Sequence, residues 1–91
     1  MEKWICYHSP LCPDCPPVTE RLEAAGVDVE YVEITRSIAE LKRFLALRDR
    51  HAAFDSVRAG GSVGIPALVR GDGEAVYFGL DEVDLDSLPV K

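Results

Sequence analysis

Positive charge is scarce in this 91-residue chain, in which ten lysines and arginines face sixteen aspartates and glutamates for a formal charge of −6. No basic stripe exists to neutralise phosphates, which argues against nucleic acid as a partner. The same shortage argues against an anionic membrane surface. Long apolar runs are missing too, since no segment approaches the roughly 18 apolar residues that a membrane span needs. The first residues lack the basic, apolar, small-residue order of an export leader. Repeats, linkers and low-complexity tracts are absent. Cysteine is sparse and odd in number, three in all. That fits a reducing compartment better than a secreted disulfide scaffold, so the expected location is the cytoplasm.

What remains is an ordinary globular composition, with 47% hydrophobic and 29% charged residues of mixed sign. The length predicts one domain over 1–91, with a modest core. Lys3 to Tyr7 is an aromatic and β-branched run, apolar on both faces, and predicts a strand inside a covered sheet. Val18, Leu22 and Ala25 then recur at helical spacing, and the helix predicted over 12–25 closes at Gly26. Val27, Val29, Tyr31, Val32 and Ile34 read as a second strand.

Ser37 followed by Glu40 has capping-box spacing, ahead of a helix whose apolar face is Ile38, Leu41 and Leu45, widened by Phe44 and Leu47. Helical character continues or restarts from His51 to Val57. Ile65 to Val69 and Ala75 to Phe78 are the last two strands, joined through Gly71-Asp72-Gly73, where Asp72-Gly73 suits a tight hairpin. The acidic tail from Asp81 to Leu88 reads as one or two helical turns. The order β-α-β-α-β-β-α, with a right-handed parallel crossover between the first two strands, predicts an α/β fold: a four-stranded mixed sheet with helices on both faces.

Cys12-Pro13-Asp14-Cys15 carries the chemistry. Two thiols separated by two residues close a disulfide or share a metal ion, because zinc sites use the same spacing. Cys12 follows a strand and stands where the first helix is expected to begin. Unpaired backbone N–H groups and the positive end of the helix dipole there favour a thiolate, and Pro13 suits the first helical position. Cys15, three residues on, turns its sulfur back towards Cys12. The expected roles are an exposed attacking Cys12 and a more buried resolving Cys15. Asp14 opposes the thiolate through its charge. Pro16 and Pro17 cannot donate hydrogen bonds, so the helix start is distorted or its regular ladder begins near Pro17.

Tyr7-His8-Ser9-Pro10-Leu11-Cys12-Pro13-Asp14-Cys15, the strand-helix-strand after it, Gly64-Ile65-Pro66 and Phe78-Gly79-Leu80-Asp81 together resemble a glutaredoxin of the thioredoxin superfamily, over almost the whole chain. The resemblance implies a thioredoxin-like, glutaredoxin-type fold. It also implies a cis Pro66 that positions substrate backbone, a nucleophilic Cys12 and a resolving Cys15. Ile65 and Asp81 become candidate glutathione contacts. The implied activity is that of a thiol-disulfide oxidoreductase acting on protein disulfides or glutathione mixed disulfides. It has no tightly bound cofactor or metal, takes glutathione as a possible co-substrate or thioredoxin reductase as electron donor, and acts as a monomer.

Two departures bear on glutathione. The family's lysine before the first cysteine is Ser9 here, next to His8, and its aromatic residue between the cysteines is Asp14. Arg48, Arg50 and Arg58, in a segment over 46–61 that is longer than usual, could supply a replacement charge.

Alternatives from other classes are a glutathione-dependent iron-sulfur or metal carrier and a non-catalytic interaction domain. Cys6, His8, Cys12 and Cys15 could form a four-ligand zinc site, although Cys6 shares a strand face with Trp4 and reads as a small buried hydrophobe. Phe44, Phe54 and Leu47 read as core. Glu20, Glu23, Glu30 and Glu33 read as surface charge.

Overall fold

Alternation organises the first strand. In the computed structural model, which describes residues 3–91, β1 spans Trp4–His8 and buries Ile5, Cys6 and Tyr7 in succession. A strand buried at consecutive positions must be covered on both sides. The chain continues through α1 (Cys15–Ala24), β2 (Glu30–Glu33), α2 (Ile38–Arg48), α3 (Asp55–Ala59), β3 (Ala67–Arg70) and β4 (Ala75–Tyr77), with 3-10 turns at Ala52–Phe54 and Leu85–Ser87.

The sheet is four-stranded and mixed, in the order β2-β1-β3-β4. β1 runs parallel to β2 and antiparallel to β3, and β3 is antiparallel to β4. On one face Ile5, Tyr7, Val32, Ala67 and Val69 meet Phe44 and Phe54. On the other, Cys6 and Leu68 meet Leu22 of α1 together with Val27, Val29, Leu80 and Leu88. The expected two-faced α/β sheet is therefore present, and Trp4 lies beside Cys6 as its period predicts. Among the described residues, no helix is long and apolar enough to cross a membrane.

The N-cap half of the expected capping box forms: Ser37 Oγ accepts from Glu40 N at 3.2 Å. Ile38 departs from expectation. It occupies the first turn of α2 and is exposed, and Phe44 is the residue that this helix buries fully. Beside it, Arg43 clasps Glu30 of β2 at 2.8 and 3.1 Å, while Lys3 reaches the same carboxylate at 2.7 Å. Arg43 first and Lys3 second hold the Glu30 carboxyl down at about 2.

Three further boundaries differ. The β3–β4 connection is the four-residue loop 71–74 rather than a two-residue turn, with Gly71 and Gly73 at φ of 60° and 117°. Val27 lies outside β2 and forms an antiparallel bridge with Val90. Asp28 N donates to Pro89 O at 2.7 Å and Lys91 N to Gly26 O at 2.9 Å, so this segment is latched behind α1. The closing helix of the expected order is reduced to the turn Leu85–Ser87. Asp84 accepts from Asp86 N there at 3.0 Å. Aspartates compete for the backbone in this way, and Pro89 prevents continuation.

Candidate active site

The loop between β1 and α1 is wound around Ser9. This serine is buried, and its Oγ lies 2.8 Å from Thr35 Oγ1 while accepting from Leu11 N at 3.1 Å. Its carbonyl accepts from Cys12 N at 3.1 Å, and Cys15 N in turn donates to Cys12 O at 3.2 Å. Ser9 is therefore an internal brace of this loop. The Ser-Pro pair after a strand was the available signal, because a serine hydroxyl readily closes a turn on a nearby N–H.

The helix begins later than the sequence predicts. Asp14 is its N-cap, without a side-chain capping bond, and Cys15 is its first residue. Pro13 is thus outside the helix, and Pro16 and Pro17 fill its first turn. Their missing N–H groups are harmless there, because first-turn donors have no partner within the helix. Cys12 lies in the turn ahead of α1 rather than at its first position.

The two thiols differ sharply in environment. Cys12 is half-buried and its Sγ points at Ile65 O at 3.8 Å, whereas Cys15 is 1% exposed. Burial first, and then its hydrogen bond with Cys12, push the Cys15 thiol up to about 12, against an opposing backbone bond from Ser9. Cys15 therefore keeps its proton at neutral pH in the reduced protein. All three cysteines are free thiols. Cys6 is also pushed up to about 12, mainly by burial and further by Cys15.

Opposite the dithiol stands 60–66. The Ile65–Pro66 peptide is cis. Gly64 has φ of 102°, and a Cβ there would lie 3.1 Å from the Phe54 ring and from Val57, so a larger residue would be strained in backbone and would have to push those side chains back. Two grooves share Asp14, Ser62, Gly64 and Ile65. The first, about 540 Å³, runs past Cys12, Leu11, Thr35 and Val63. The second, about 350 Å³, runs past Val18, Pro66 and Phe78. Their apolar rim is unusually open: Leu11 is 80%, Val63 52% and Phe78 46% exposed.

Cys12, Cys15, Ile65 and Pro66 thus come together. Asp81 does not join them directly. It is exposed in a neighbouring cleft that reaches the second groove through Phe78 and Gly79, and it caps no helix. The arginines proposed as replacement charges lie elsewhere. Arg48 donates to Val63 O at 2.7 Å and Ser62 O at 2.6 Å, clamping the loop from behind. Arg58 is spent on Arg48 O, His51 O and Asp55. Arg50 lines a cavity with Gly71 and Asp72, at the opposite end of the sheet.

Neither histidine lines the two grooves at the dithiol. Burial pushes the His8 pKa down, against Glu33 and Glu23. His51 accepts from Ala53 N at Nδ1 and meets Gly73 O at Nε2. The four-residue zinc set is not assembled: among the described residues, no three or more His, Cys, Asp and Glu side chains converge. The roles of Ser9, Thr35 and the Arg48 clamp, and the open rim of Leu11, Val63 and Phe78, are absent from the sequence reading.

Over 90 residues the chain is 41% identical to an uncharacterized protein of Haemophilus influenzae, taking in 99% of this chain and 98% of that one. No family model matches the chain, and no solved structure matches it.

Proposed function

We propose that this chain, which belongs to one family with the Haemophilus influenzae protein, is a glutaredoxin-like thiol-disulfide oxidoreductase with a thioredoxin-like fold. One observation carries the reading. A half-buried Cys12 opens onto a groove walled by Ile65 and Gly64 while its hydrogen-bonded neighbour Cys15 is buried and protonated. The mixed sheet, with β1 and β2 parallel and β3 and β4 a hairpin, supports the fold assignment.

The chemistry proceeds in two exchanges. Cys12, as thiolate, attacks one sulfur of a partner disulfide. A Cys12–partner S–S bond forms, the partner's own S–S bond breaks, and the departing thiolate takes a proton. Cys15 then loses its proton and attacks the Cys12 sulfur. The Cys12–Cys15 disulfide forms and the second partner thiol leaves, so the partner gains two electrons and the dithiol loses two. An external thiol such as glutathione, or thioredoxin reductase drawing on NADPH, returns the pair to the reduced state. Ile65 and the cis Pro66 wall the site where partner backbone would lie, and Asp81 is a candidate acceptor for a ligand's ammonium group. No tightly bound cofactor is needed, and the protein acts as a cytoplasmic monomer in this reading.

Single-cysteine variants test it. Cys12→Ser is expected to abolish reduction of insulin disulfides and of a glutathione mixed disulfide. Cys15→Ser is expected to complete the first exchange and accumulate mixed disulfide, visible by mass spectrometry. Equal accumulation in both variants, or turnover without Cys12, overturns the assignment.

A further inference from the structure

The three clefts around the dithiol hold charge of one sign. The groove past Cys12 and the groove past Phe78 have one charged lining residue between them, Asp14. The adjoining cleft adds Asp81 and Glu82. Among the described residues, no lysine, arginine or histidine lines any of the three. Arg48 and Arg58 bind backbone carbonyls, and Arg36, next to Thr35, lines neither groove. Exposed apolar side chains line the same clefts: Leu11 and Val63 beside Asp14 in the first groove, and Phe78 in the second groove and in the cleft of Asp81.

From this we infer the substrate class: the site takes protein disulfides whose target cysteine is flanked by an apolar residue and a basic residue, in preference to anionic glutathione mixed disulfides. The inference rests on the oxidoreductase reading above. Acids at two points along the clefts attract a cationic segment and repel an anion during encounter. The apolar rim gives the flanking side chain a surface that loses water on contact. Glutathione carries net negative charge and meets no base here. The redox step is unchanged: Cys12 bonds to the flanked sulfur, the partner's S–S bond breaks, and Cys15 completes the two-electron exchange.

The test compares single-turnover rates of the pre-reduced protein on mixed disulfides that share one neutral leaving thiol, 2-mercaptoethanol. The probes are glutathione, a short peptide with leucine and lysine beside its cysteine, and the same peptide with glutamate for lysine. Bis(2-hydroxyethyl) disulfide serves as the small neutral reference. The basic peptide is expected to react about 3- to 30-fold faster than the acidic one at low salt, with the ratio shrinking at roughly 0.5 M salt as charges are screened. Asp14→Asn and Asp81→Asn should each lower that ratio, and Leu11→Ser should slow both leucine peptides alike. Equal rates on all probes, with the reference disulfide still reduced, overturn the inference and leave the oxidoreductase reading standing. Failure to reduce even the reference overturns both.

Discussion

Replacing Arg48 with methionine separates a clamp from a substrate-binding charge. The guanidinium donates to two carbonyls in succession, Val63 O at 2.7 Å and Ser62 O at 2.6 Å, and its side chain is only 19% exposed. Arg48→Met keeps the apolar stem and removes every donor. Hydrogen bonds from a charged group contribute about 1.5–3 kcal/mol each when well buried. Ser62 and Val63 are exposed, so water takes over their carbonyls, and the combined loss falls to about 1–2 kcal/mol. For a domain of this size that lowers Tm by roughly 4–16 °C. Arg48→Lys keeps the charge and one donor geometry, and should lose about half as much. Urea titration and calorimetry measure the stability. Reduction of the small neutral disulfide should change less than about twofold, because the clamp lies behind the loop rather than beside Cys12, while rates on protein disulfides fall as the groove wall loosens. Unchanged stability combined with a selective loss of glutathione turnover would refute the reasoning, for the guanidinium would then be facing substrate.

His8 makes stability depend on pH in a defined direction. Its pKa is depressed, so the unfolded chain takes up the proton first; stability is intact above about 6.5 and declines as pH falls below that value. His8→Gln should flatten the slope of unfolding free energy between about pH 7 and about pH 5, and an unchanged slope would count against the burial argument. Alkylation should follow the order of exposure, with iodoacetamide modifying Cys12 first, Cys15 slowly and Cys6 only on unfolding. Peptide mapping reads that order, and early modification of Cys6 contradicts it.

Local pattern made much of this legible. The Ser37–Glu40 cap, the burial of Cys6 beside Trp4 and the mixed sheet all arise from spacing within one or two elements, and each is realised. The dithiol and its meeting with Ile65 and Pro66 were legible through motif and resemblance together. What a long side chain touches was not. Arg48 reads as a possible replacement charge for glutathione, yet the chain folds back 14 and 15 residues later to present two carbonyls to it. Asp81 lies one cleft away, joined to the second groove through Phe78 and Gly79, because a motif marks a position along the chain and not the wall its side chain faces. The start of α1 was misplaced because one proline suits a first turn as well as another, and three compete between Pro13 and Pro17.

The sheet also partitions the molecule thermodynamically. Phe44 and Phe54 touch at 5.8 Å on one side, whereas Leu22 and Leu88 lie on the other, with β1 and β3 between the groups. Losses from truncating one residue on each side should therefore add to within about 0.3–0.5 kcal/mol, while Phe44 and Phe54 truncated together should depart from additivity. Phe78 breaks the partition, because its ring meets Phe54 at 5.1 Å while it lines the second groove with Val18 of α1. Sequence change can accumulate in either layer with little reference to its counterpart, but a substitution at Phe78 must be accommodated by both.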